Sequence, residues 1–364
     1  MGWMNDAQAS VEQMLTNFKI EKLFTKWEQD IFDAVRESGQ LPGIVPTPEW
    51  GYHWGNGPVS DGCMFEIPYR MYLHTGDDTL LKDAYPYFVR YLNFLKTVED
   101  ENGDMLYGLG DWSAPYEDKQ LESVFPNKML LIKFLRIKKL AEERLGISTE
   151  ETEQTITEAI CDAKKKYLLP DGTCSIPRQS AVGMMIYFDV YDDLEPLKQQ
   201  LKQMIEEDDF HHCCGMLGIR YLHHALNKCN LADYAYKVIT AHGFPSYRGW
   251  MEHGATALCE RWNCSESQNH HMLSDFMSWM MKTILGIKQA KDSVGFARVE
   301  ICPHFFEDLQ YAKGYVDTCN GKVSVAWERR ADHIALQIDV PEGMEVMYQG
   351  TKFLVGHYEI QEML

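Results

Sequence analysis

The chain has 364 residues, 45% hydrophobic and 24% charged, a composition that excludes disorder and is long enough for one large domain plus a small one. Its formal net charge of −19 repels phosphate backbones and argues against nucleic acid as a partner, so a neutral or weakly charged ligand fits better. Acidity also serves plain solubility. No apolar run reaches the ~18 residues of a membrane-spanning helix, and no signal peptide is recognised. The ten cysteines follow no repeated spacing and read as buried thiols in a reducing, cytoplasmic compartment.

In chain order, the first ~285 residues read as helices. A helix is expected over residues 7–18. Ile20, Leu23, Phe24, Trp27, Ile31 and Val35 recur at helical spacing, and Gly39 and Pro42 end that pattern. A Gly/Pro/aromatic loop follows over 41–59, then helices near 61–74 and 79–100, and a Gly-rich loop over 102–116. Further helices are expected over 127–145 and 149–168, as two short ones within 181–207, and over 215–226, 231–242 and 271–285, with a helical turn at 255–260. About a dozen helices in antiparallel pairs suit an (α/α)6 barrel, a ring of helical hairpins. The alternative is a solenoid, but no fixed 34- or 40-residue period is present. After Gly286 the pattern changes to strands: Val323, Val325 and Trp327, then Ile334, Leu336, Ile338 and Val340, alternate with polar residues, and Pro341-Glu342-Gly343 marks a turn. This tail reads as a small β-sandwich.

Four segments combine carboxylates with Trp and Gly: Gly2-Trp3-Met4-Asn5-Asp6, the stretch from Trp50 through Trp54 to Asp61, Gly108-Leu109-Gly110-Asp111-Trp112-Ser113, and Gly254 to Trp262 followed by Asn269-His270. Glycosidic-bond cleavage needs a carboxylic acid to protonate the leaving oxygen and a second carboxylate to activate water or attack the sugar. Aromatic rings beside them offer stacking faces and raise carboxyl pKa values. Each segment also has a plainer reading: Asp6 as a helix cap, Glu260 as a partner of Arg261, Trp3 and Trp112 as core. His211-His212-Cys213-Cys214 is a weak metal candidate, since adjacent ligands point to different sides of a helix and no second pair stands at zinc spacing. No metal or cofactor is expected, and neither a P-loop nor a Gly-x-Ser-x-Gly elbow occurs.

Together these segments resemble the bacterial α-L-rhamnosidases of glycoside hydrolase family 78. Gly2-Trp3-Met4-Asn5-Asp6-Ala7-Gln8 is similar to the end of that family's Arg-Glu-Lys-Leu-Gly-Trp-x-x-Asp-Ala-Gln motif. Leu41 to Pro46, Ile67 to Tyr72 and Thr75-Gly76-Asp77 resemble its next elements. Gly110 to Pro115 and Gly254 to Trp262 are the most specific matches, and Ile301-Cys302-Pro303 and Gly321 to Trp327 extend the resemblance into the tail.

The resemblance implies an (α/α)6 barrel over residues 1–287, lacking its first helix, and a C-terminal β-sandwich over 288–364. It implies inverting hydrolysis of terminal α-L-rhamnosides, with Glu260 as general base and Asp6 as a second carboxylate that binds a hydroxyl or tunes the charge. Trp3, Trp112 and His270 fall on positions lining the rhamnose pocket, and Asp61 and Asp111 on positions that order it. Two departures stand out: Cys259 and Val59 occupy positions where many members carry Trp, with Trp54 or Trp50 available to compensate for the second. The family's general-acid Glu falls before Met1, which itself stands at a usual leucine. A truncated chain with impaired activity is therefore expected, with apolar barrel edges that favour homodimerisation or low stability. Two other readings are a non-catalytic sugar-binding remnant and another (α/α)6 glycosidase or lyase.

Overall fold

The structure is a computed structural model describing residues 2–363; Met1, the residue at the family's leucine position, lies outside them. Among the described residues the helices are α1 (Met4–Asn17), α2 (Glu21–Ala34), α3 (Pro58–Asp61), α4 (Cys63–Thr75), α5 (Thr79–Val98), α6 (Val124–Leu145), α7 (Glu150–Tyr167), α8 (Gln179–Tyr187), α9 (Leu194–Glu207), α10 (Met216–Lys228), α11 (Ala232–Thr240), α12 (Tyr247–Glu252) and α13 (Phe276–Thr283). The chain divides into two compact units. One gathers the N-terminal residues through Val11 with Leu23–Pro68 and Leu81–Asp275. The other gathers Glu12–Lys22, Tyr69–Leu80 and the chain from Phe276 onward.

In the first unit, helices alternate between two chemical types. Every residue of α8 from Gln179 to Ile186 is buried, and α10 is buried from Met216 to His223. The helices paired with inner ones are amphipathic: α9, after α8, buries only Leu197, Leu201 and Ile205, spaced by four, and α7, after α6, only Thr152, Ala163 and Tyr167. The helices pair as α6/α7, α8/α9 and α10/α11, while α8 also packs on α6 and α10 and α9 on α11. Inner helices thus touch inner ones and outer helices touch outer ones. That is the (α/α)6 arrangement the helix count predicted. On α4, Phe65 stacks between Phe88 of α5 and Phe134 of α6, with centroids 4.3 Å away on each side, extending the same order toward the N-terminus.

A buried charge cluster ties four inner helices together. Glu66 of α4 is ion-paired with Lys133 of α6 and, at 2.9 Å, with Arg220 of α10. Arg220 also donates to the Gln8 carbonyl of α1, and Lys133 Nζ donates to the Tyr221 hydroxyl at 3.2 Å. Charges this deep persist only when paired.

The second unit carries two four-stranded sheets. In chain order their strands are β3 (Ile287–Gln289), β4 (Arg298–Ile301), β5 (Tyr311–Thr318), β6 (Gly321–Arg329), β7 (His333–Val340), β8 (Glu345–Tyr348), β9 (Thr351–Phe353) and β10 (Gly356–Met363), counted after the short β1 (Gly2–Trp3) and β2 (Ile44–Val45) of the first unit. The sheets run β10-β7-β6-β5 and β3-β4-β8-β9. The alternation read in the sequence is the inward face: Val323, Val325, Trp327, Ile334, Leu336, Ile338 and Val340 are all buried, with Val299, Ile301, Val346 and Tyr348 from the other sheet. The Trp327 indole N–H, which as a buried donor calls for a partner, donates to the Ile284 carbonyl at 2.8 Å.

Three local expectations need correction. Residues 255–260 form no helical turn. Their backbone is instead held by Ser267 and His270, a few residues further along the same loop, as described below. The helix lies earlier, as α12, where Ser246 Oγ accepts the Gly249 N–H at 2.8 Å as its N-cap and Gly254, at φ +83°, ends it. The helix expected over 271–285 is confined to α13. All ten cysteines are free, but Cys161, Cys302 and Cys319 are exposed rather than buried. No helix among the described residues is long and apolar enough to cross a membrane.

Candidate functional site

The candidate site forms where three loops of the first unit meet. Helix α1 begins at Met4, so Asp6 stands in its first turn, where unpaired backbone N–H groups favour a negative side chain. Its Oδ1 lies 2.5 Å from His270 Nε2. The other ring nitrogen, Nδ1, lies 3.6 Å from Glu260 Oε2. One imidazole therefore faces both carboxylates that the sequence singled out.

Residues 258–270 fold back on themselves to make this possible. The Glu260 N–H donates to the Ser267 carbonyl and the His270 N–H to the Leu258 carbonyl, both at 2.8 Å. Those bonds leave residues 255–260 no helical partner. The Ser267 N–H points at Glu260 Oε2 from 3.4 Å, and Ser113 Oγ donates to the Glu260 carbonyl at 2.9 Å, joining this segment to the Trp112 loop. The Glu260 side chain keeps 20% of its surface open and Asp6 only 8%. The hydrogen bond from His270 to Asp6 pushes the imidazole pKa above its usual value, against the opposing pull of burial, and the Glu260 charge adds to the rise.

Four indoles contact one another, and Trp112 among them lies against Arg261, the neighbour of Glu260. Trp3, on β1, is paired through its backbone with Ile44 of β2. Trp54 meets Trp3 edge-on at 5.5 Å and Trp112 edge-on at 6.4 Å. Trp50 completes the set, 6.0 Å from Trp3 and 6.4 Å from Trp54. The Arg261 guanidinium lies 4.7 Å from the Trp112 ring centre, a cation–π contact.

Asp61 and Asp111 are fully buried, so neither presents an oxygen to solvent. Each holds a loop. Asp61 Oδ2 accepts from the Tyr91 hydroxyl at 2.7 Å and the Gly57 N–H at 3.1 Å, fixing the turn that follows Trp54. Asp111 accepts the N–H groups of Gly215, Leu217 and Gly218 at 2.8–3.0 Å and the Ser180 hydroxyl. Its carboxylate thus sits on the N-terminus of α10, where donors and dipole converge, and the Trp112 carbonyl accepts from Met216 N–H beside it. Burial pushes both carboxyl pKa values up, and these donors pull them back.

Asp6 meets a distant imidazole through its side chain. Arg261 faces Glu266, 3.6 Å away, and the Trp112 ring. Trp3 and Trp112, read as possible core, are half-buried, whereas Trp262 is core, stacked on His212 and Trp250. His211 and His212 diverge: the first reaches the His242 carbonyl at 2.8 Å, while the second is buried against Trp262. Two contributors went unread in the sequence. Ser10 Oγ donates to the Asp6 carbonyl and bonds His271 Nδ1, each at 2.7 Å. Their signal was available, since Ser10 follows Asp6 by four on one helical face and His271 adjoins His270.

Comparison with known proteins agrees with this architecture. The family described as bacterial alpha-L-rhamnosidase 6 hairpin glycosidase domain matches residues 1–284, and the bacterial alpha-L-rhamnosidase C-terminal domain matches residues 286–348. An alpha-L-rhamnosidase of Formosa agariphila is 26% identical over 369 residues, covering 94% of this chain and 39% of the relative. The chain thus spans about two fifths of that relative's length. An α-L-rhamnosidase structure from Dictyoglomus thermophilum superposes with TM-score 0.88 at 26% identity, covering 96% of this chain and 40% of that one. That of the Streptomyces avermitilis α-L-rhamnosidase complexed with L-rhamnose gives TM-score 0.88 at 22% identity, covering 95% and 34%.

Proposed function

This chain belongs to the bacterial α-L-rhamnosidase family, and from that footing we propose that its site serves the inverting hydrolysis of terminal α-L-rhamnosides. The observation that carries the reading is the Asp6–His270–Glu260 contact beside the Trp3, Trp54 and Trp112 rings. Glu260, partly open to solvent, takes a proton from water, and the water oxygen bonds to the anomeric carbon from the face opposite the leaving group. Trp3, Trp54 and Trp112 offer apolar faces to the sugar's C–H groups, while His270 and Asp6 hydrogen-bond its hydroxyls. Asp61 and Asp111 act indirectly, by holding the loops that carry Trp54 and Trp112. The leaving oxygen needs a proton from a second carboxyl group.

The test is hydrolysis of para-nitrophenyl α-L-rhamnoside by the protein and by its Glu260→Gln variant. Loss of a general base is expected to lower kcat by about 10²- to 10⁴-fold. Equal rates for the two proteins would sink the assignment of Glu260. The aryl rhamnoside, whose leaving group needs little protonation, should be cleaved faster than a flavonoid rhamnoside. Equal rates on the two would show that protonation of the leaving oxygen does not limit turnover.

A further inference from the structure

Trp50 and Trp54 leave 44% and 51% of their surfaces in solvent, which is unusual for indoles, and the loop that carries them is rigidly built. The Tyr52 hydroxyl donates to the Ala34 carbonyl at 2.7 Å, and the Tyr52 carbonyl accepts from Gln40 Nε2 at 2.8 Å and Asn56 Nδ2 at 2.9 Å. The Arg36 guanidinium lies over the Tyr52 ring at 3.7 Å and is ion-paired with Glu49. The Trp54 N–H closes back on the Trp50 carbonyl at 3.1 Å. A Cβ on Gly51 would come within 2.0 Å of Thr47 Oγ1, and one on Gly55, at φ +76°, within 2.8 Å of the Trp3 ring. The two indoles are therefore held in fixed positions without being covered.

These rings also continue the site. Ring contacts run from Trp112, beside the Glu260-Arg261 segment, through Trp54 to Trp3 and outward to Trp50. We propose that Trp50, with the outer edge of Trp54, forms a platform for the ring attached to the rhamnose, and that this ring is a neutral pyranose stacking its C–H face on the indole. The inference rests on the preceding reading of the inner rings as the rhamnose pocket. The net charge of −19 disfavours a uronic acid there, and the pinned loop lowers the ordering cost of binding.

Calorimetric titration of the Glu260→Gln protein, which prevents turnover, tests this with L-rhamnose, the rhamnosyl-glucose disaccharide rutinose, and para-nitrophenyl α-L-rhamnoside. Rutinose is expected to bind more tightly than rhamnose. Adding Trp50→Ala should weaken rutinose by about three- to tenfold, the worth of one ring contact, and leave rhamnose within twofold, while Trp50→Phe should restore most of the loss. Rhamnose failing to bind at all would overturn the underlying reading. Rhamnose binding with no gain for rutinose, or an equal loss on both ligands in Trp50→Ala, would overturn the platform alone. A Trp50 effect confined to the aryl rhamnoside would overturn the pyranose and assign the platform to an aromatic aglycone.

Discussion

At the Asp6–His270–Glu260 contact one imidazole serves two carboxylates, and its raised pKa follows from that sharing. A raised histidine stays cationic above its ordinary value of about 6.5. Its contribution to stability is present below that value and is lost as pH rises through the elevated one. The alkaline limb of kcat/KM on para-nitrophenyl α-L-rhamnoside should therefore lie above about pH 6.5, and His270→Asn should abolish it. A limb unchanged in that variant would remove His270 from the titration. Glu28 is the opposite case, buried on α2 with neither carboxyl oxygen hydrogen-bonded and its pKa well above normal through desolvation. The folded state keeps this proton while the unfolded state releases it above about pH 4.3, so Glu28 lowers stability as pH rises. Glu28→Gln should raise Tm at pH 7, by about 2–4 °C for each kcal/mol regained, with the gain shrinking toward pH 4. A lower Tm at pH 7 would count against a protonated, unpaired Glu28.

Among elements, the inner helices depend on one another through Glu66. Removing that carboxylate would leave Lys133 and Arg220 buried without their counter-charge, which costs about 3–5 kcal/mol in comparable cases. Urea denaturation of Glu66→Ala should register a loss of that order. A loss below ~1 kcal/mol would mean water reaches the cluster. Helix α10 has a second dependence, through Asp111 at its N-terminus. Asp111→Ala would free the Gly215, Leu217 and Gly218 donors and release the Trp112 loop, so KM for the aryl rhamnoside should rise along with the loss of stability. A stability loss with KM unchanged would confine Asp111 to folding.

For the whole molecule, a formal charge of −19 on 364 residues means self-repulsion in the compact state. Screening should relieve it, so Tm is expected to rise between roughly 20 and 150 mM NaCl as the Debye length falls below about 10 Å. A Tm that falls or stays flat over that range would show that local ion pairs outweigh the net charge. The sequence by itself determined the helical class, the change to strands after Gly286 and the inward faces of β6 and β7, because hydrophobic periodicity is a local property that burial must satisfy. It also brought forward Trp3, Asp6, Trp112, Glu260 and His270, because chemistry-bearing residue types cluster with glycine in loops. Only the tertiary structure decided which of them meet. The 2.5 Å contact between Asp6 and His270 joins residues 264 positions apart, and no local pattern encodes that. The same holds for Leu258 and Glu260, whose backbone partners lie at His270 and Ser267 rather than one helical turn away. Asp61 and Asp111 were placed by the family resemblance on positions that order the pocket, but the partners through which they hold their loops, Tyr91 and Gly57 for one and Ser180 with the start of α10 for the other, come from packing alone.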